Sequence, residues 1–309
     1  MAKVRTVLGP IDADEMGITL PHEHLFINHQ WVSKQPGGIL NDIELAVAEL
    51  IEFKNLGGKT VVDATSRGLG RAPLAVKQIA EKTGLNIVIG CSWYRESFYD
   101  RSIWEKSTNE LADEIIKEVT AGIENSRIQA GIIGEIGSED ILNGRISPAE
   151  ERVFRASARA QQETGVSIIT HSLYTSIGLK HLALLKEEGV SPERVLIGHC
   201  GSYPHLDYYE ALAGQGAYIL FDDIQNLIAY EIDKRIGFIR ALVNKGYLKK
   251  ILLSHDICRF DMYYTNGGPG YAQILRSFVP EMKKAGITEK QIKTILMDNP
   301  KAALTGERD

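Results

Sequence analysis

The chain has 309 residues, 44% of them hydrophobic and 24% charged, with a formal net charge of -5. That is enough for a large core in one barrel-sized domain, and the mild, scattered acidity leaves no electrostatic footprint for nucleic acid. No apolar run nears the roughly 20 residues that span a bilayer, acidic residues interrupt any signal-peptide core near the N-terminus, and three distant cysteines without a CxxC pair argue against a disulfide frame or a thiolate zinc site.

A cytoplasmic protein of one domain over 1–309, with no membrane or nucleic-acid partner, is therefore expected. Short β-branched runs alternate with amphipathic segments along the whole chain. The runs are 16–25, 59–66, 85–93, 130–137, 165–172, 194–200, 216–223 and 250–257. The first helical segment starts at an Asn41 cap candidate and stops at Gly57-Gly58, and several others also end in glycine just before the next strand. Alternation of this kind implies a parallel sheet with right-handed crossovers. Eight units fit a (β/α)8 TIM-type barrel better than an open sheet, which would call for a glycine-rich phosphate loop where this chain has "LPHEH".

In such barrels the chemistry sits at the C-terminal ends of the strands. Those ends carry His22 and His24, Asp63, Glu135, His171, His199, Asp222 with Asp223, and His255 with Asp256. Five of the eight histidines fall there. Strand periodicity places Ile18, Leu20, His22 and His24 on one face, and Gly131, Ile133, Glu135 and Gly137 on another. Only one of His255 and Asp256 points inward. Taken singly, each of these residues reads as a hydrogen-bonded core group or a helix cap. Taken together, imidazoles and carboxylates aimed into one dry barrel mouth leave unpaired polar groups unless a cation sits among them. Imidazole and carboxylate donors suit zinc, manganese or iron.

"PHEH" on the first strand, "GEIG" on the fourth, "THS" on the fifth, "IGHC" on the sixth and "SHD" on the eighth resemble the phosphotriesterase family of the amidohydrolase superfamily. The similarity runs over nearly the whole chain. It implies a distorted barrel with two divalent metal ions, zinc first and manganese, cobalt or iron as alternatives. His22, His24 and Asp256 would hold the more buried ion, and His171 and His199 the more exposed one. A carbamylated lysine bridges the pair in the best known members. Here the fourth strand offers no lysine, and Glu135 is the matching residue, with Gly134 as a competing register that has no side chain to offer. The family also implies a homodimer.

The expected mechanism is attack by a bridging hydroxide, with Asp256 accepting its proton. Loops after the second, third and eighth strands hold Arg67, Arg71, Tyr94, Arg95, Arg101, Arg259, Tyr263 and Tyr264. Arg95, Arg259 and Tyr94 are the expected substrate contacts, suited to a small molecule with a carboxylate or phosphate. The "TNGGPG" stretch (265–270) reads as a lid hinge or a plain connection. Cys200 and Cys258 read as packing residues, and Asp63 as either a support for a ligand histidine or a helix cap. The leading function is hydrolysis of a lactone or carboxyl ester, for instance an anionic sugar lactone, and an amidase on small N-acyl compounds comes next. The proton relay of the phosphotriesterases proper is missing from "GHCGSYP" and "FDDI", so organophosphate hydrolysis is expected only as a side activity. A binding protein that lost catalysis would lack a ligand, and all six are present.

Overall fold

Each β-branched run is a strand in the computed structural model, which describes residues 2–34, 36–140, 142–224 and 229–306. The strands are β1 (Ile18–Glu23), β2 (Gly58–Asp63), β3 (Asn86–Cys91), β4 (Ile132–Gly137), β5 (Ile168–His171), β6 (Val195–Ile197), β7 (Tyr218–Phe221) and β8 (Ile251–Leu253). They pair in chain order in one parallel eight-stranded sheet. The helices α1 (Ile43–Asn55), α2 (Pro73–Thr83), α3 (Thr108–Thr120), α4 (Pro148–Thr164), α5 (Ile177–Glu187), α6 (Leu206–Gln215) and α7 (Ala229–Asn244) occupy the crossovers. This is the expected TIM-type barrel, and it is distorted. Beyond the end of β8, backbone bonds from Asp256 N to His22 O (3.2 Å) and from His24 N to Ile257 O (3.3 Å) draw β8 and β1 together.

Local chemistry sets the helix starts. Ser107 with Glu110, and Ser147 with Glu150, form capping boxes on α3 and α4. The cap of α1 is Asp42, whose side chain accepts from Leu45 N, rather than the expected Asn41. An N-terminal antiparallel hairpin, Lys3–Thr6 with Gly9–Asp12, was not foreseen.

The core has two layers. Val62, Val88, Ile132, Ile169, Leu196, Leu220 and Leu252 fill the barrel together with Val4 and Met16 from the N-terminal segment and Leu304 from the last helix. Their alternate neighbours Val61, Ile87, Ile133, Ile168, Ile197, Ile219 and Ile251 pack outward against helix residues such as Phe53, Ile79 and Phe154. Each such side chain contributes about 1.5–3 kcal/mol on burial. Gly58 is needed where α1 meets the sheet, since a Cβ there would lie 2.4 Å from the Phe53 ring.

The layers correct two face assignments. Leu20 and Ile133 belong to the outer layer, so they do not share a face with His22 or Glu135. Both strands carry register shifts, β1 between Leu20 and Glu23 and β4 between Ile133 and Ile136. An irregularity of this kind inserts a residue and turns the following side chains to the other face.

Candidate metal centre

His22 and His24 end β1 inside the barrel, and each is held by the ring nitrogen that faces away from the centre. His22 Nδ1 donates to Asp222 Oδ2 at 2.6 Å. His24 Nδ1 lies 2.8 Å from Thr65 Oγ1, which itself donates to Asp63 Oδ1 at 2.5 Å, so the imidazole is the donor. Asp63 therefore supports His24 through Thr65 and is not a helix cap. His199 follows the same pattern, with Nδ1 3.0 Å from Asp222 Oδ1. One carboxylate thus orients two imidazoles from different strands and turns both Nε2 atoms inward.

Glu135 stands at the centre. Its Oε1 is 2.6 Å from His171 Nδ1 and 2.8 Å from His199 Nε2, and those two nitrogens are 2.7 Å apart. Its Oε1 is also 3.7 Å from His22 Nε2, while its Oε2 is 3.9 Å from His24 Nε2. Asp256 Oδ1 lies 3.2 Å from His24 Nε2 and 3.8 Å from His22 Nε2. All six predicted ligands are therefore brought together. His255 is turned away, with Nδ1 on Glu23 and Nε2 accepting from Ile274 N. His199 and Asp256 both have φ of 56°. Non-glycine residues held there cost about 1–3 kcal/mol each and cluster at functional sites.

The donors suit a cation. His22, His24 and Glu135, and again Glu135, His171 and His199, place one ligand atom apiece within 4.8 Å of one another. His22 Nε2 is fully buried and has no hydrogen-bond partner among the described residues. Burial pushes the His22 pKa down, yet the charge of Glu135 and then Asp222 outweigh it and hold it up at about 10. Asp222 goes the other way: burial is overcome by His199 and His22, and its carboxyl sits far below the usual range. For His171, burial dominates and holds the imidazole down. The carboxylates thus demand positive charge among imidazoles that point lone pairs inward, and a divalent metal meets that demand while leaving the rings neutral.

A cavity of about 450 Å³ opens over this cluster. Tyr94 and Arg95, two of the three expected substrate contacts, line it. The Tyr94 hydroxyl is 3.1 Å from His171 Nδ1. Arg95 stacks over the Tyr94 and Phe98 rings and bonds Glu139 at 3.3 Å. Arg259 is not among the lining residues, and its Nε donates to Asp261 at 2.9 Å. Arg67 and Arg71 are likewise engaged with Glu114 and Glu118. Cys200 is a buried packing residue as read, and Cys258, partly buried, both packs against the core and lines the cavity. At the start of the 265–270 stretch, Glu49 on α1 accepts from Tyr264 N (2.7 Å) and Thr265 N (2.8 Å).

Sequence reasoning gave no role to Asp222, Thr65 or His29. Asp222 was visible as a strand-end acid, but its partners lie on β1 and just past the end of β6. His29 lines the cavity with both ring nitrogens engaged, by Ser33 and by the Cys258 carbonyl. Local sequence carried no signal for it.

The sequence model of the phosphotriesterase family matches residues 2–304. The phosphotriesterase homology protein of Escherichia coli is 34% identical over 287 residues, covering 93% of this chain and 97% of that protein. Its crystal structure, with phosphate in the active site, superposes with a TM-score of 0.90 over 94% of this chain and 99% of that one. An N-acetyltaurine hydrolase of Dictyostelium discoideum is 31% identical over 99% of this chain and 98% of its own length. A lactonase from Listeria monocytogenes has a TM-score of 0.91 at 29% identity, covering 99% of this chain and 100% of that one. By these matches the chain is a hydrolase and belongs to the phosphotriesterase family.

Proposed function

We propose that the chain acts as one barrel domain over 1–309 and is a binuclear metal-dependent hydrolase. Its preferred substrate is a lactone or carboxyl ester bearing an anionic group. His22, His24 and Asp256 would hold one ion, His171 and His199 the other, and Glu135 would serve both, with zinc the first choice of metal. The observation that carries this reading is the position of Glu135, whose Oε1 meets His171 and His199 while Oε2 faces His24. The metal pair, when bound, acidifies water toward neutral pH and polarises the substrate carbonyl.

The residues supply the rest. Asp256, with 21% of its side chain exposed, opens onto the cavity. It accepts the proton of the attacking water and returns it to the leaving oxygen when the acyl bond breaks. The Tyr94 hydroxyl beside His171 orients the substrate, and the Arg95 guanidinium anchors the anionic group. A second reading, hydrolysis of a small N-acyl compound, is favoured by the N-acetyltaurine hydrolases among the relatives. The same proton then goes to the leaving nitrogen.

Elemental analysis of protein purified without chelator, followed by parallel assays on anionic sugar lactones and small N-acyl compounds, tests both readings. Two metal equivalents with lactone turnover support the first reading. Turnover of N-acyl compounds alone replaces it with the second. A chain that stays metal-free after incubation with zinc, manganese, cobalt and iron overturns both.

A further inference from the structure

The residue between the two β1 histidines points away from the metal centre and is fully buried, yet its carboxylate is crowded with donors. Glu23 Oε1 accepts from Ser254 Oγ (2.8 Å), His255 N (2.9 Å) and His255 Nδ1 (2.8 Å), and Oε2 accepts from Ile257 N (2.9 Å). All four donors belong to residues 254–257, the segment just past β8. Asp256 sits in the middle of that segment with a φ of 56°. Ser254 Oγ in turn accepts from His22 N at 3.0 Å. His255 is fixed from behind, since its Nε2 accepts from Ile274 N at 3.0 Å.

We propose that Glu23 is a positioning residue: it clamps residues 254–257 across the seam between β1 and β8 and so sets Asp256 opposite His22 and His24. Three features carry the inference. The seam is where the strand ladder gives way to loop contacts, with Asp256 N on His22 O and His24 N on Ile257 O. A buried carboxylate needs its oxygens satisfied, and here, among the described residues, every hydrogen-bond donor to it comes from the one segment that bears Asp256. Third, a left-handed aspartate persists only where its surroundings over-determine it, and the Glu23 bonds bracket it on both sides. The "HEH" of β1 and the "SHDI" after β8 therefore form one unit, with Glu23 at its centre. This rests on the metal-centre reading above, and it adds that the His22, His24 and Asp256 half depends on a residue that touches no metal, while the His171 and His199 half does not.

The test is metal retention by full-length holoprotein dialysed against graded chelator, read by elemental analysis, in the wild type and in Glu23→Gln. Glutamine leaves one acceptor oxygen and opposes a donor with an amide. The expected result is that one of two equivalents leaves Glu23→Gln at about 10–100-fold lower chelator, while the second leaves at the wild-type concentration. Loss of both equivalents together, or of neither, overturns the clamp. If Glu23→Gln does not fold, Ser254→Ala removes one clamp bond and is read the same way: selective loss supports the clamp, equal or absent loss overturns it. A wild type that binds no metal overturns the metal-centre reading and the clamp with it, whereas a two-metal wild type with an unaltered variant overturns the clamp alone.

Discussion

Asp222 is the residue on which the geometry of the centre turns. It holds Nδ1 of both His22 and His199, so its loss reaches both halves of the proposed metal pair. Asp222→Asn replaces one acceptor oxygen with a donor and forces one imidazole to change tautomer or lose its partner. The expected outcome is an affinity for divalent metal about 10–100-fold weaker, measured by competition with a chromophoric chelator. Glu135→Gln tests the bridge itself. Metal content and hydrolysis are both expected to fall sharply, and metal content equal to wild type would remove Glu135 from the bridging role. The candidate donor residues were legible one by one because histidine and carboxylate at strand ends are local facts. Asp222 was legible as an acid but not as a support, because its two partners are 200 and 23 residues away.

At the scale of elements, strands and helices followed from period-2 and period-3.6 patterning, while side-chain direction did not. The slips in β1 and β4 put Leu20 and Ile133 outside, although simple alternation sets them beside His22 and Glu135. A slip answers to the neighbouring strand, and its local marks here are Pro21 in β1 and Gly134 in β4, residues that point to a bulge when they fall inside a strand. Loop arginines showed the same limit. Arg67 and Arg71 read as candidates for the mouth, but they tie the loop after β2 to α3, with Arg71 gripping Glu118 at 2.8 and 2.9 Å. Burial pushes the Glu118 carboxyl up, but the bonds and charge of Arg71, then Arg67, outweigh it and hold it below the usual 4.5. A depressed carboxylate contributes stability above its unfolded pKa and loses it as pH falls through the folded value. Glu118→Gln is expected to cost about 3–5 kcal/mol at neutral pH, because it strands buried guanidinium charge. Urea denaturation at stepped pH checks the sign: the gap from wild type narrows as pH drops below 4.5. A gap independent of pH would mean the ion pair adds nothing.

For the whole molecule, the candidate metal centre draws its residues from β1, β4, β5 and the ends of β6 and β8 into one barrel mouth. Anything that binds only the folded chain stabilises it, by about 2.7 kcal/mol per ion at a free concentration of 100 Kd. Stripping the metal is therefore expected to lower the thermal midpoint, and adding zinc back to restore it without bicarbonate, as followed by calorimetry. A strict bicarbonate requirement would mean that a carbamylated lysine, not Glu135, joins the ions. By itself the sequence determined the eightfold alternation of strand and helix and which histidines and carboxylates stand at strand ends, because residue type and short-period patterning are local properties. Only the tertiary structure decided which faces they turn to, that Arg95 lines the cavity and Arg259 does not, that Asp222 bonds both His22 and His199, and that Glu23 bonds residues 254–257. Those outcomes rest on contacts between residues as much as 234 positions apart, which no local pattern encodes.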